Sequence, residues 1–235
     1  MERAAVFDVD GTLVDTNHLH VTAWWEAFRQ AGHDVVMHDI HRSVGLPGHD
    51  LIARLLGDDR DTGQDDAISA AHKTLYATYA DRLPALPGAG RLLRALAGQG
   101  WTVVLATSAS GGELAALRRA IDADDAIGAT ASSEDVDEGK PAPEPVERAL
   151  ELAGVPAERA VFVGDTVWDM EAATRAGVLG VALRCGGIPQ RDLERAGAAA
   201  VYDDPADLLA RLDDSPVARV GQGLDAARQG TRGPS

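Results

Sequence analysis

The chain has 235 residues, of which 45% are hydrophobic, enough to fill one large domain or a core carrying an inserted second one. Its 37 acidic against 22 basic residues give a formal net charge of −15, which repels nucleic acid and anionic membrane from most of the surface; an anionic ligand would need a site where a cation, Lys, Arg or backbone N–H groups invert the local sign. No apolar run approaches the roughly 18 residues that span a bilayer and no signal-peptide pattern opens the chain. Cys185 is the single cysteine, which excludes an internal disulfide and fits a reducing compartment, so a cytoplasmic location is expected.

The first predicted strand, "AAVFDV", ends in Asp8 and Asp10, two positions apart. Alternate strand residues share a side, so two like charges are expected to face one another at close range. Residues 17–83 then carry helical spacing in "HVTAWWEAFRQAG", "GHDLIARLLG" and "DAISAAHKTLYATYADRL", divided by "GLPG" and the polar "DDRDTGQDD". All seven histidines, from His18 to His72, lie here. This stretch is read as an all-helical insert, with Trp24 and Trp25 as core aromatics. His38 and His41, three apart, have no cysteine or third clustered ligand to complete a zinc site, and Gly48–Asp50 reads as a helix start.

After "PALPGAG" the pattern changes. The Val-rich runs "WTVVLAT", "RAVFVGD" and "GVALR" alternate with helical segments such as "GGELAALRRAI" and "EPVERALELAG". Such alternation predicts parallel βαβ units in a doubly wound α/β sheet, whose strand ends converge at one ligand-binding edge. The expected organisation is therefore a core of residues 1–16 and 84–214, a helical insert of 17–83, and a polar tail of 215–235 with little core of its own.

Four stretches fall at or just beyond the predicted strand ends: Asp8 with Asp10; Thr107 with Ser108; Lys140 in "DEGKPAPE"; and Asp165 with Asp169. Carboxylates, hydroxyls and one ammonium are what a divalent metal plus a phosphoryl group requires. Mg²⁺ prefers hard oxygen ligands such as Asp8 and Asp165, and Lys140 with Thr107 would hold phosphate oxygens. Ser110 and Glu113 match a capping box and are assigned to structure; Thr166 and Asp169 match the same pattern, leaving Asp169 open between capping and function.

"DVDGT", Thr107, "GKPAP" and "GDTVWD" together resemble the four motifs of the haloacid dehalogenase superfamily, in the right order over about residues 4–212. The resemblance implies a Rossmann-like core with Mg²⁺ bound by Asp8, the main-chain carbonyl of Asp10, and Asp165. It implies Asp8 as nucleophile, Asp10 as acid and then base, Thr107, Ser108 and Lys140 around the phosphoryl group, and Asp169 orienting Lys140 or a metal-bound water. The insert resembles the family's helical cap, which covers the site and selects the substrate; closure would bring Arg42 and His49 over it.

"DTNHLHVTAWW" is similar to the cap entrance of β-phosphoglucomutase-like members, where a His matching His20 assists proton transfer. Gly48 stands where those mutases carry a phosphate-gripping Arg, with Arg42 or Lys73 left to substitute for it. The expected function is therefore a Mg²⁺-dependent phosphomonoesterase acting on a small phosphorylated metabolite. A sugar-phosphate mutase is the alternative, and a 2-haloacid dehalogenase or a phospho-accepting signalling module fits less well. Substrate identity and oligomeric state are left open.

Overall fold

Strand β1 (Arg3–Phe7) shows how the sheet is built: Ala5 and Phe7 pack to one side, Ala4 and Val6 to the other, and all four are fully buried. A strand apolar on both faces belongs at the centre of a parallel sheet covered twice. The structure, a computed structural model, describes residues 2–220. There β1 lies between β2 (Trp101–Ala106) and β4 (Ala160–Gly164), and β3 (Ile127–Ala131), β5 (Leu179–Leu183) and β6 (Ala200–Tyr202) complete a six-stranded sheet of order β3-β2-β1-β4-β5-β6. Every strand pair is parallel. Helices α5 (Ala89–Gly98), α6 (Gly111–Ile121) and α10 (Pro205–Ala210) bury Leu92, Leu93, Leu96, Leu117, Ile121 and Leu208 on one face. Helices α7 (Glu144–Ala153), α8 (Val167–Arg175) and α9 (Gln190–Arg195) bury Val146, Met170 and Leu193 on the other. This is the doubly wound α/β architecture expected.

Between β1 and α5 the chain forms α1 (Asn17–Gln30), α2 (Met37–His41), α3 (Gly48–Leu56) and α4 (Asp65–Ala77), with their own apolar cluster of Trp24, Phe28, Ile40, Leu51, Ile52 and Ile68. Trp24 is buried there; Trp25 is half-buried, beneath the Arg29 guanidinium. The two chain segments joining these helices to the sheet run side by side: Asp15 N–H donates to Pro84 O (2.9 Å) and Leu86 N–H to Leu13 O (2.9 Å). No helix among the described residues is long and apolar enough to cross a membrane.

Three expectations change. β3 and β6 were not predicted; "IGATA" holds one glycine and few large apolar residues, and β6 has only three residues, so neither presents the Val-rich run that marked the other strands. The predicted polar tail starts too early, because Ser215–Val220 is packed, with Val217 and Val220 buried against the core. The remainder of that predicted tail, 221–235, lies outside the described residues. Ser110 does occupy the N-cap position of α6, but its side chain makes no cap hydrogen bond, so the Ser110–Glu113 capping box does not form.

Candidate active site

β1 stops at Phe7, one residue before the first carboxylate, although Asp8 N–H still donates to Val163 O at 2.9 Å. The chain then turns tightly: Gly11 takes φ +75°, a conformation glycine adopts without penalty, and its N–H donates to Val14 O (2.8 Å). The turn sends the two carboxylates apart. Asp8 meets the Lys140 ammonium, whereas Asp10 Oδ1 accepts from Thr16 Oγ1 (2.7 Å) and faces His20 Nε2 (3.3 Å). The two carboxylates therefore have different partners, and Asp10 is the smallest of the influences that raise Asp8.

Asp8, Asp165 and Asp169 form the main cluster, each offering a carboxylate oxygen within 4.8 Å of the others, and all three are buried. Lys140 Nζ donates to Asp8 Oδ1 and to Asp169 Oδ1 (2.8 Å). Thr12 Oγ1 donates to Asp165 Oδ1 (2.7 Å), and Asn17 Nδ2 donates to Asp165 Oδ2 (2.8 Å). Asp169 forms the capping box and also contacts Lys140. Its Oδ2 completes the capping box with Thr166 at the start of α8, accepting from Thr166 N–H (3.0 Å) and Oγ1 (2.6 Å), while Oδ1 faces Lys140. The cap fixes the rotamer, and the fixed rotamer aims the free oxygen.

One buried ammonium among three buried carboxylates leaves an excess of negative charge. Burial is the largest influence on Asp8 and raises its pKa to about 7, with Lys140 opposing and Asp169 reinforcing the rise. Asp165 is likewise held well above the carboxylate range by burial and then by Asp169 and Asp8. Lys140 is also desolvated, yet its two carboxylate partners leave its pKa raised. Asp10 differs: burial pushes it up, but hydrogen bonding and attraction from His20, followed by Thr16, bring it below the usual value.

The donor set fits a hard divalent cation. Three hard oxygens converge, their charge is undercompensated, Asn17 Oδ1 is buried without a partner beside Asp165, and no side chain could share the space. A Cβ on Gly11 would lie 2.5 Å from Asp165 Oδ2, and one on Gly186 only 1.7 Å from it.

Of the other predicted residues, Thr107 is buried at the end of β2 and its Oγ1 accepts from Ala109 N–H (3.0 Å), while Ser108 is exposed. Arg42 is not poised over the site: it pairs with Asp192 of α9 at 2.9 Å. His49 is exposed beside Asp50 (3.5 Å), and Lys73 is exposed. Gly48 lies beside the Trp24 ring, where a Cβ would make ordinary van der Waals contact at 3.4 Å.

Sequence reasoning missed Thr12, Thr16, Asn17, His72 and Tyr76. His72 Nε2 lies 3.1 Å from His20 Nδ1, so Asp10, His20 and His72 form a chain, with His20 stacked on Tyr76 and His72 on Trp24, each at 3.9 Å. Burial drives the pKa of His72 down to about 3 and keeps it neutral. The four-residue spacing of His72 and Tyr76 on α4 was the available signal, since it puts both on one helix face.

Together, a doubly wound sheet and a carboxylate–ammonium cluster at its strand ends define an α/β enzyme of the hydrolase type. The family model for haloacid dehalogenase-like hydrolases matches residues 2–177, and the chain belongs to that family. It is 31% identical over 221 residues to a phosphoglycolate phosphatase of Rhodospirillum rubrum, covering 88% of this chain and 90% of that protein. It is 34% identical to the protein CbbY of Cereibacter sphaeroides, covering 93% and 100%. A crystal structure of a hydrolase from Pseudomonas syringae superposes with a TM-score of 0.85 at 35% identity, covering 90% of this chain and 98% of that one.

Proposed function

We propose that the protein is a Mg²⁺-dependent phosphomonoesterase acting on a small phosphorylated metabolite through an aspartyl-phosphate on Asp8. The observation that carries this reading is the convergence of Asp8, Asp165 and Asp169 on Lys140, with Asp10 held apart by Thr16 and His20. The likeness to a phosphoglycolate phosphatase supports it. Asp8, Asp165 and the main-chain carbonyl of Asp10 are the proposed metal ligands, and a bound Mg²⁺ would supply charge neutralisation for the transferring phosphoryl group.

Asp8 is the nucleophile, and a carboxylate needs no activating base. An Asp8 oxygen bonds to phosphorus as the ester oxygen leaves, and Asp10 delivers a proton to that oxygen. Asp10 then takes a proton from the water that attacks phosphorus, releasing phosphate and restoring Asp8. Lys140 and Thr107 hold the phosphoryl oxygens, and Asp169 keeps Lys140 aimed. The helices of 17–83 act as a cap excluding bulk water, entered and left through the paired segments at Leu13–Asp15 and Pro84–Leu86.

A mutase needs a grip for a second phosphate. Arg42 is committed to Asp192 and Gly48 has no side chain to offer a phosphate, which favours hydrolysis. The test is phosphate release from a panel of phosphoglycolate, hexose and pentose phosphates and nucleotides, with Mg²⁺. Release that depends on Mg²⁺ and disappears in Asp8→Asn is expected; activity surviving in that variant defeats the mechanism, and isomerisation of a hexose 1-phosphate without net phosphate release establishes the mutase instead.

A further inference from the structure

Gly186 O, in the turn between β5 and α9, accepts two hydrogen bonds from the helical insert: one from Asn17 Nδ2 at the first turn of α1 (3.2 Å) and one from His41 Nε2 at the end of α2 (2.8 Å). Asn17 Nδ2 also donates to Asp165 Oδ2, so one amide joins the insert, the β5–α9 turn and the carboxylate cluster. The approach is close on both sides of that turn. A Cβ on Gly186 would strike Asp165, and one on Gly187 would fall 3.0 Å from the His41 ring. His41 is braced by the stacked His18 ring (5.4 Å) and by the adjacent Arg42–Asp192 pair.

We propose that Asn17 and His41 are positioning residues that couple docking of the helical insert to divalent-cation affinity: docking holds Gly186 and Asn17 in place, and Asn17 holds Asp165 in its metal-binding orientation. The proposal rests on the reading of Asp165 as a Mg²⁺ ligand. Groups that orient a ligating carboxylate tune affinity without touching the metal. The coupling is reciprocal, so a cation bound at Asp165 also favours the docked insert. Asn17 Oδ1, buried and unpartnered, faces no competing donor that would rotate the amide away.

The test is calorimetric titration of the substrate-free full chain with MgCl₂, comparing wild type with Asn17→Ala, His41→Ala and His41→Gln. Asn17→Ala is expected to raise the dissociation constant about 10- to 100-fold. His41→Ala, which removes the donor to Gly186 O and acts on Asp165 one step further away than Asn17, is expected to raise it by about 3- to 10-fold, less than the 10- to 100-fold typical of direct outer-shell partners. His41→Gln retains a donor for Gly186 O and is expected to restore binding. Wild-type affinity in His41→Ala, or no recovery in His41→Gln, overturns the coupling while leaving the phosphatase reading intact. A wild-type chain that takes up no Mg²⁺ overturns both.

Discussion

Replacing Asp8 with Asn should stabilise the metal-free protein at alkaline pH. Asp8 sits at about pKa 7 in the folded chain against an ordinary value of 3.8, because burial outweighs the Lys140 attraction. Between those values the folded chain binds more protons than the unfolded one, so stability is full below about pH 4 and falls as pH rises through 7. The shift of about 3 units corresponds to roughly 4 kcal/mol of destabilisation at pH 8, and for a chain of this size to about 8–16 °C in Tm. Asn keeps the shape without the charge. In EDTA, Asp8→Asn and wild type should therefore melt together below about pH 4, and the variant should melt progressively higher as pH is raised to 8. Mg²⁺ should then raise the wild-type Tm at pH 8 more than that of the variant, since a ligand bound by the folded state stabilises it. A variant no more stable than wild type at pH 8 in EDTA would refute the reasoning that the cluster carries uncompensated charge.

Asp10→Asn should lower kcat by about 10²- to 10⁴-fold, the worth of a placed acid–base group, with calorimetric Mg²⁺ affinity little changed because its carboxylate is turned toward Thr16 and His20. Lys140→Met leaves three buried carboxylates without their ammonium and should cost about 3–5 kcal/mol in metal-free chemical denaturation near neutral pH, a loss that added Mg²⁺ recovers in part. Gly186→Ala would place a methyl 1.7 Å from Asp165 Oδ2, so the turn must move; Mg²⁺ affinity should fall by at least about tenfold, read by the same titration.

The residues legible in the sequence share a local signal: each of Asp8, Lys140 and Asp165 stands at or soon after an apolar run, or in a loop with distinctive punctuation. The sheet was legible wherever valines ran together and illegible at β3 and β6, whose edge positions demand less apolar side chain. The residues that shape the site's environment were hidden for a different reason. Thr12 and Asn17 reach Asp165 across 153 and 148 positions, and Arg42 reaches Asp192 across 150. No periodicity encodes such pairs; Thr12 meets Asp165 only when the sheet assembles, and Asn17 and Arg42 find their partners only once the insert is docked on it. Arg42 illustrates the consequence, since in sequence it is a basic residue near a Gly-rich loop, and only the fold reveals that its charge is already spent on α9.

The same distinction alters the roles of the two N-terminal carboxylates. Their spacing predicted a charge conflict, to be resolved by Asp8 staying ionised on a metal while Asp10 holds a proton. Among the protein's own groups the bias runs the other way: burial raises Asp8, while His20 and Thr16 bring Asp10 below its usual value. Under the phosphomonoesterase reading, a divalent cation reverses the first bias by favouring ionised Asp8. The second bias means Asp10 is a poor proton store by itself. Its carboxylate instead sits in a chain of contacts, with His20 Nε2 at 3.3 Å from Asp10 Oδ1 and His72 Nε2 at 3.1 Å from His20 Nδ1. His20 and His72 both lie in the insert, on α1 and α4, while Asp10 follows β1, so the Asp10–His20 contact is the one that joins the insert to the sheet. Under that reading, an insert docked on the sheet both shuts the site against water and completes the Asp10–His20 contact beside the leaving oxygen.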